Sequence, residues 1–403
     1  MEDWPSISHL YIWPESARLH QSNDAARPLV YTMPVLKHEQ PLSDEMPEAV
    51  QKLRGQPAAR PAVSSDLNGL KTLIKQGHFK AAFNLTTSLL QFMGHSATAD
   101  KRTGVTFDSL KLWNCRFQLL MSLKMHRVAV EEMSAFEELD APDLFFQHNP
   151  ELRARGFVGS MVPFNLRLIH AEVLQFTPTP WSAWTRLSKL EAAVESILQM
   201  PELPGHARNV WKQRLEVVKT AEARLLYSLK ARPLLLSLPI DCLQEFEQSV
   251  ALFERIAADT ADKKKAAEIQ RFLVRVGMLL GNSRMIEQKA ESPLLDANWT
   301  KFMRQIFTSN YEKAAECLKT ADVGGTEDCN NRAVCSLYTG DVKQSMELLL
   351  SNRQLPPMPL LLNLYTVAEL ASTKARDLRS QHFAQFADQM PDLFSFYLSS
   401  TWK

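Results

Sequence analysis

Glycine is scarce in this chain: 13 of 403 residues, about 3%, against a usual ~7%. Folds made of strands and tight turns spend glycine freely, whereas helix interiors exclude it, so the shortage argues for a mostly helical protein. Cysteine is also sparse. Cys115, Cys242, Cys317, Cys329 and Cys335 are odd in number and form no C-x-x-C pair, which excludes a disulfide scaffold and points to a reducing compartment. The longest uncharged apolar run, Leu355 to Ala368, is 14 residues and contains three prolines, short of the ~20 needed to span a bilayer. The opening MEDWPSISHL carries acidic residues where a secretory leader is basic. A cytosolic location is expected. Charge of one sign is lacking too: 46 Lys and Arg balance 45 Asp and Glu, leaving no field for nucleic acid or an anionic membrane.

Catalytic patterns are missing as well. There is no Gly-Lys pair, hence no phosphate-binding loop, and no H-E-x-x-H. His170 and Glu172 form an H-x-E, but the P-C-x-x-C that completes a deaminase zinc shell does not occur. On a helix the two side chains are nearly opposed, a packing histidine beside a surface glutamate. Cys329 and Cys335 read as small residues of a helix rather than a redox pair. Lys263, Lys264 and Lys265 read as a solvated helix face. No cofactor or metal is expected and no catalytic residue is assigned.

What is present divides near residue 63. Eight of the 22 prolines fall in residues 1–63 and 14 in the other 340, a density that breaks helix and ladder alike and implies an extended segment. Yet this segment carries Trp4, Tyr11, Ile12, Trp13 and Tyr31, apolar area suited to docking on the protein's own body or on a partner. From residue 64 to 403 the pattern is helical. Leu67, Leu70, Leu73 and Ile74 are followed by Gly77 and then Ala81, Ala82, Leu85, Leu89 and Leu90, which is helix, turn, helix.

The turn G-H-F-K-A-A, with Gly77, Phe79 and Ala82, resembles the tetratricopeptide pattern. Glycine relieves the turn, the aromatic fills the gap between two helices, and the small residue lets them approach. The sketch recurs at Asn310, Tyr311 and Ala314, and at Gly340, Val342 and Ser345, with 31 residues from Ala314 to Ser345. Looser copies place Ala129 after His126, where an aromatic belongs, and Ala183 after Pro178 and Pro180. A single helix pair cannot bury its apolar face, so pairs must stack. The expectation is an all-α, tetratricopeptide-like solenoid of six or seven helical hairpins, preceded by an extended Pro-rich segment, with the phasing of 200–300 loosest. Trp113, Trp184, Trp211 and Phe302 read as packing residues.

One stretch fits no repeat. Residues 140–160 hold Pro142, Pro150, Gly156 and Gly159 and read as a loop insertion, with Arg153 and Arg155 exposed on it, either solvated or facing an acidic partner. After it a helix begins, with Ser160 as its expected N-cap, Pro163 in the first turn, and Val162, Leu166, Ile169 and Val173 on one face.

Four runs, DSLKLW (Asp108–Trp113), PDLFF (Pro142–Phe146), GSMVPFNLRLIHAE (Gly159–Glu172) and NNRAVCSLYTGD (Asn330–Asp341), resemble the tetratricopeptide-repeat subunit family of the trafficking protein particle (TRAPP) complex. GSMVPF is the most specific, because no general repeat consensus calls for it. The resemblance implies a non-catalytic subunit of the metazoan TRAPP III assembly, a tether and exchange factor for an early-secretory Rab GTPase. It also implies neighbours among large subunits 8, 11 and 13, peripheral attachment to Golgi and ER–Golgi intermediate membranes, and roles in ER-to-Golgi traffic and autophagy. The partner-binding candidates are Trp4, Tyr11, Trp13, Arg153 and Arg155. A rival reading is a co-chaperone adaptor: NNRAVC also resembles the helix of chaperone-binding clamps, Asn331 standing for the Asn that holds a heat-shock protein's C-terminal carboxylate. The Lys and Asn such a clamp draws from the preceding repeat are here Trp299 and Met303.

Overall fold

The structure is a computed structural model and describes residues 7–22, 29–99, 103–235, 243–320, 325–351 and 358–392. Its helices, in chain order, are α1 (Ala17–Ser22), α2 (Met46–Arg54), α3 (Leu67–Lys75), α4 (Phe79–Phe92), α5 (Phe107–Ser122), α6 (His126–Met133), α7 (Pro150–Ala154), α8 (Phe164–Glu172), α9 (Trp181–Leu198) and α10 (Gly205–Leu235). They continue with α11 (Leu243–Asp259), α12 (Lys263–Leu279), α13 (Ser283–Ala290), α14 (Ala297–Phe307), α15 (Tyr311–Thr320), α16 (Thr326–Tyr338), α17 (Val342–Leu350), α18 (Met358–Ala371) and α19 (Ala375–Phe386). Among the described residues there is no strand, only an isolated bridge between Phe145 and Ser160. The fold is the expected all-α stack of hairpins; among the described residues the hairpin partners are α3–α4, α5–α6, α9–α10, α12–α13, α14–α15, α16–α17 and α18–α19. In the stretch where the repeat pattern was loosest lies α10, at 31 residues much longer than a repeat helix.

Five hairpin turns are the same object. Gly77, Lys124, Gly281, Ser309 and Gly340 have φ of 80°, 58°, 65°, 57° and 93°. In each, the next N–H bonds the carbonyl five residues back: His78 to Leu73, Met125 to Leu120, Asn282 to Gly277, Asn310 to Gln305 and Asp341 to Ser336, at 2.8–2.9 Å. This left-handed closure satisfies carbonyls that the helix end would otherwise orphan. The second helix then starts two residues after the left-handed one. In the Tyr311 turn, therefore, the special position is Ser309 and not Asn310.

The small residues do what the spacing asked of them. Ala82, Ala129, Ala183, Ala314 and Ser345 are all fully buried. In α12–α13 the equivalent slot holds the larger Ile286, and the missing space comes from across the pair: a Cβ on Gly277 would lie 3.0 Å from Ile286 Cγ1. His126 does occupy an aromatic's place, stacked on Phe176 with ring centroids 3.5 Å apart.

The chain forms two compact units. One contains the described residues of 7–44, 61–252 and 391–392; the other contains 45–60 and the described residues of 253–390. The Pro-rich segment is thus shared between them. In the first unit Trp113 stacks on Phe117, and Phe136 closes edge-on against both. In the second unit α2 packs on α19, burying Met46 and Val50. Asp388 there accepts two bonds from Arg54, at 2.6 and 2.9 Å, and one from Ala59 N, which hold its carboxyl below the ordinary range.

Residues 140–160, read from their prolines and glycines as a loop, are short helical turns woven into the first core. Leu144, Phe145, Phe146 and Phe157 are buried there, and Asn149 caps α7 by accepting from Glu151 N and Leu152 N. Ser160 does not cap α8, whose N-cap is Pro163 with no side-chain bond. Its hydroxyl instead accepts from Arg167 Nη2 at 2.6 Å, a stronger, charge-assisted partner. The apolar face expected on this helix is buried as drawn, at Val162, Leu166, Ile169 and Val173.

Candidate functional site

The segment 1–63, expected to be extended, carries a 3-10 turn at Ser8–Leu10 and the helices α1 and α2; its remaining described stretches have no helix or ladder to satisfy their backbone, so the surface beneath them must supply partners. In the first unit, groups of the body capture the strap formed by the described residues of 7–44. Trp211 Nε1 donates to His9 O at 3.0 Å and Arg214 Nη1 to Leu10 O at 2.8 Å. Ser160 N donates to Tyr11 O at 3.0 Å. Asp143 accepts from Tyr31 N, Thr32 N and the Thr32 hydroxyl at 2.6–2.9 Å. Asn84 exchanges two bonds with the Leu42 backbone. Between these grips Arg18 pairs with Glu137 and Asp140.

Glu132 makes the deepest of the grips. Its Oε1 accepts from Lys37 N and His38 N while both oxygens take Arg116 at 2.7 and 2.8 Å. Neither side chain of this pair is exposed. Arg116 also donates to Thr87 Oγ1 and His38 O and lies over the Phe83 ring. A buried pair persists only when its remaining donors and acceptors are met in this way.

Of the candidate residues, Trp4 lies outside the described residues. Tyr11 packs edge-on against Phe107 and Phe146, at 5.3 and 5.8 Å, and burial pushes its hydroxyl pKa up. Trp13 lies by Trp211, and the Arg167 guanidinium sits 3.9 Å from a Trp13 ring centroid. Both aromatics therefore dock on the protein's own body. Arg153 and Arg155 are exposed at the end of α7, apart from the strap contacts described above. The runs DSLKLW, PDLFF and GSMVPFNLRLIHAE border this cradle: Phe107 just precedes the first, Asp143 and Phe146 belong to the second, Ser160 and Arg167 to the third. Glu132, Asn84 and Asp143 hold the strap without any sequence pattern that announces it, because an acid or an amide carries no mark of what it holds.

His170 is buried, its Nε2–H donating to Glu137 O at 2.6 Å, and burial with Arg186 nearby lowers its pKa to about 4. Burial raises Glu172. Among the described residues no group of three His, Cys, Asp or Glu is placed to hold a metal, and no helix is long and apolar enough to cross a membrane.

In the second unit a groove of about 770 Å3 is lined by Met278, Leu279, Trp299, Phe302, Met303 and Ile306, with Asn331 on its wall. Trp299, Met303 and Asn331 do meet in one place, but as an apolar surface. The charged lining among the described residues, Arg275 against Glu327 and Asp328, is negative on balance and includes no lysine for a free carboxylate. The chaperone clamp is not favoured.

No family model matches the chain. Across a 400-residue alignment covering 90% of the chain it is 28% identical to trafficking protein particle complex subunit 12 of Homo sapiens and 27% identical to that of Mus musculus. The matched stretch is 53% and 49% of those two proteins, so the chain spans about half the length of the curated relatives it matches. The resemblance carried by the four motifs is thus one that extends over nine tenths of this chain, and the protein it is similar to is trafficking protein particle complex subunit 12.

Proposed function

We propose that the chain is a non-catalytic scaffold and interaction subunit of the TRAPP complex, in its metazoan TRAPP III form. In this reading it contacts the large subunits 8, 11 and 13 and is linked to a Rab GTPase only through the assembly, whose exchange activity resides in other subunits. It acts in ER-to-Golgi transport and autophagy, in the cytoplasm and on the surface of Golgi and ER–Golgi intermediate membranes. The observation that carries the reading is the similarity to subunit 12 over nine tenths of the chain. Stacked hairpins with an apolar groove supply contact area of the kind a scaffold needs, and Arg153 and Arg155 offer a basic contact for an acidic neighbour.

Affinity purification of the chain from native cytosol, with mass spectrometry of what accompanies it, tests this directly. Recovery of TRAPP core subunits together with large subunits is the expected result. Recovery free of any TRAPP subunit refutes it.

A further inference from the structure

Where α8 and α9 pack and Trp13 of the strap lies over them, a cavity of about 100 Å3 is lined by Trp13, Glu138, Arg167, His170, Arg186 and Lys189, among others. Its charges do not balance. Arg186 Nη2 and Lys189 Nζ share one carboxylate, Glu138, at 2.7 and 3.8 Å. Arg167 has no carboxylate among the described residues: it is 6% exposed, and it meets Ser160 Oγ at 2.6 Å, Leu139 O at 3.4 Å and the face of Trp13. Burying a guanidinium against dipoles and a ring alone is costly, and burial accordingly lowers its pKa to about 9. His170, neutral with its Nε2–H committed to Glu137 O, adds no charge. Three cations therefore surround one carboxylate, and Glu138 is itself half exposed.

We propose that this cavity binds a single tetrahedral oxyanion, phosphate or sulfate, either free or as the end of a phosphomonoester, between Arg167, Arg186 and Lys189. Size and chemistry agree. The volume has room for one such group, and the cavity opens to solvent, where the remainder of an ester would lie. Guanidinium forks match oxyanion geometry with two parallel N–H bonds. Glu138 then acts as the resident counter-ion that the ligand displaces.

The test uses the full chain and sodium phosphate, titrated at constant ionic strength against chloride and followed by calorimetry and melting temperature. Saturable binding of phosphate, absent with chloride, is expected. Lys189→Gln, at a lysine 69% exposed and so without risk to folding, should weaken it about tenfold, the scale of one charge-assisted contact. Glu138→Gln, by removing the competitor, should tighten it several-fold. Glycerol phosphate binding in solution would identify a soluble phosphomonoester as the source; co-sedimentation with phosphatidic acid vesicles but not phosphatidylcholine vesicles, lost in Lys189→Gln, would identify a lipid headgroup. The proposal is overturned if phosphate gives no saturable response, or if the wild-type chain and both variants respond alike.

Discussion

Gly159→Ala isolates the grip between the strap and the GSMVPF run. Gly159 has φ of +104°, and a Cβ there would stand 2.2 Å from Tyr11 O and 3.0 Å from Tyr11 C, both backbone atoms. Neither can be relieved by a side-chain rotation. The backbone conformation alone costs an alanine about 1–2 kcal/mol. Moving Tyr11 O away from Ser160 N forfeits a bond worth about 0.5–1.5 kcal/mol net. If the strap lifts, the half-buried rings of Tyr11 and Trp13 lose on the order of 1 kcal/mol each, for a total of about 3.5–5.5 kcal/mol. Gly156→Ala is the internal control, because Gly156 also has positive φ (+76°) but nothing lies within 4 Å of its added Cβ. Urea unfolding should place Gly159→Ala at least 2 kcal/mol below Gly156→Ala. Hydrogen exchange should show residues 8–14 losing protection while the hairpin α5–α6 keeps it. Equal stability of the two variants, with unchanged exchange at residues 8–14, would refute the account of the cradle.

Three further outcomes follow from the packing. Ala314, fully buried in α15, should cost several kcal/mol, about 3 or more, when replaced by Glu, through overpacking and a buried charge; an unmoved thermal transition would mean the repeat phasing is wrong. Lys124→Gly and Ser309→Gly relieve non-glycine residues at φ of 58° and 57°, and each should gain about 0.5–1 kcal/mol in denaturant unfolding, whereas Ser309→Val should lose stability. Glu222 is buried, and desolvation with Glu191 and Glu195 nearby raises its pKa to about 7 against the relief of Lys219. Since the folded pKa lies above the unfolded one, the native state binds the extra proton, and the corresponding stability is full below about pH 4.5 and falls as pH rises toward 7. Glu222→Gln should therefore melt higher than wild type at pH 8 and at the same temperature near pH 4.5; equal melting curves at pH 8 would count against the burial.

The hairpins were legible because their turns and contact points use few residue types. Gly77 and Gly340 mark left-handed positions, and Ala82, Ala129, Ala183, Ala314 and Ser345 all fall at buried close approaches. Lys124 and Ser309 take the same backbone conformation with no glycine to announce it, and the trade of Ile286 against Gly277 is visible only once the two helices face each other. Residues 140–160 were read from Pro and Gly alone, while Leu144, Phe145 and Phe146 between them carried the opposite signal: three consecutive apolar residues that no solvated loop would keep. Ser160 has the residue type of a cap, but its hydroxyl is taken by Arg167.

The strap connects these observations. Outside its short helices this Pro-rich segment has little hydrogen-bonded structure of its own, so the order of its extended stretches depends on acceptors and donors fixed elsewhere. Here those groups sit on rigid elements: Asp143 in a buried turn, Glu132 on α6 held by Arg116, Asn84 on α4, Trp211 and Arg214 on α10. Each must stand at one place relative to the strap backbone, and that requirement is local to this chain rather than to helical repeats in general. It accounts physically for runs such as PDLFF and GSMVPF, which no repeat consensus calls for: they hold this protein's own N-terminal segment. The same geometry commits Tyr11 and Trp13 to the first unit.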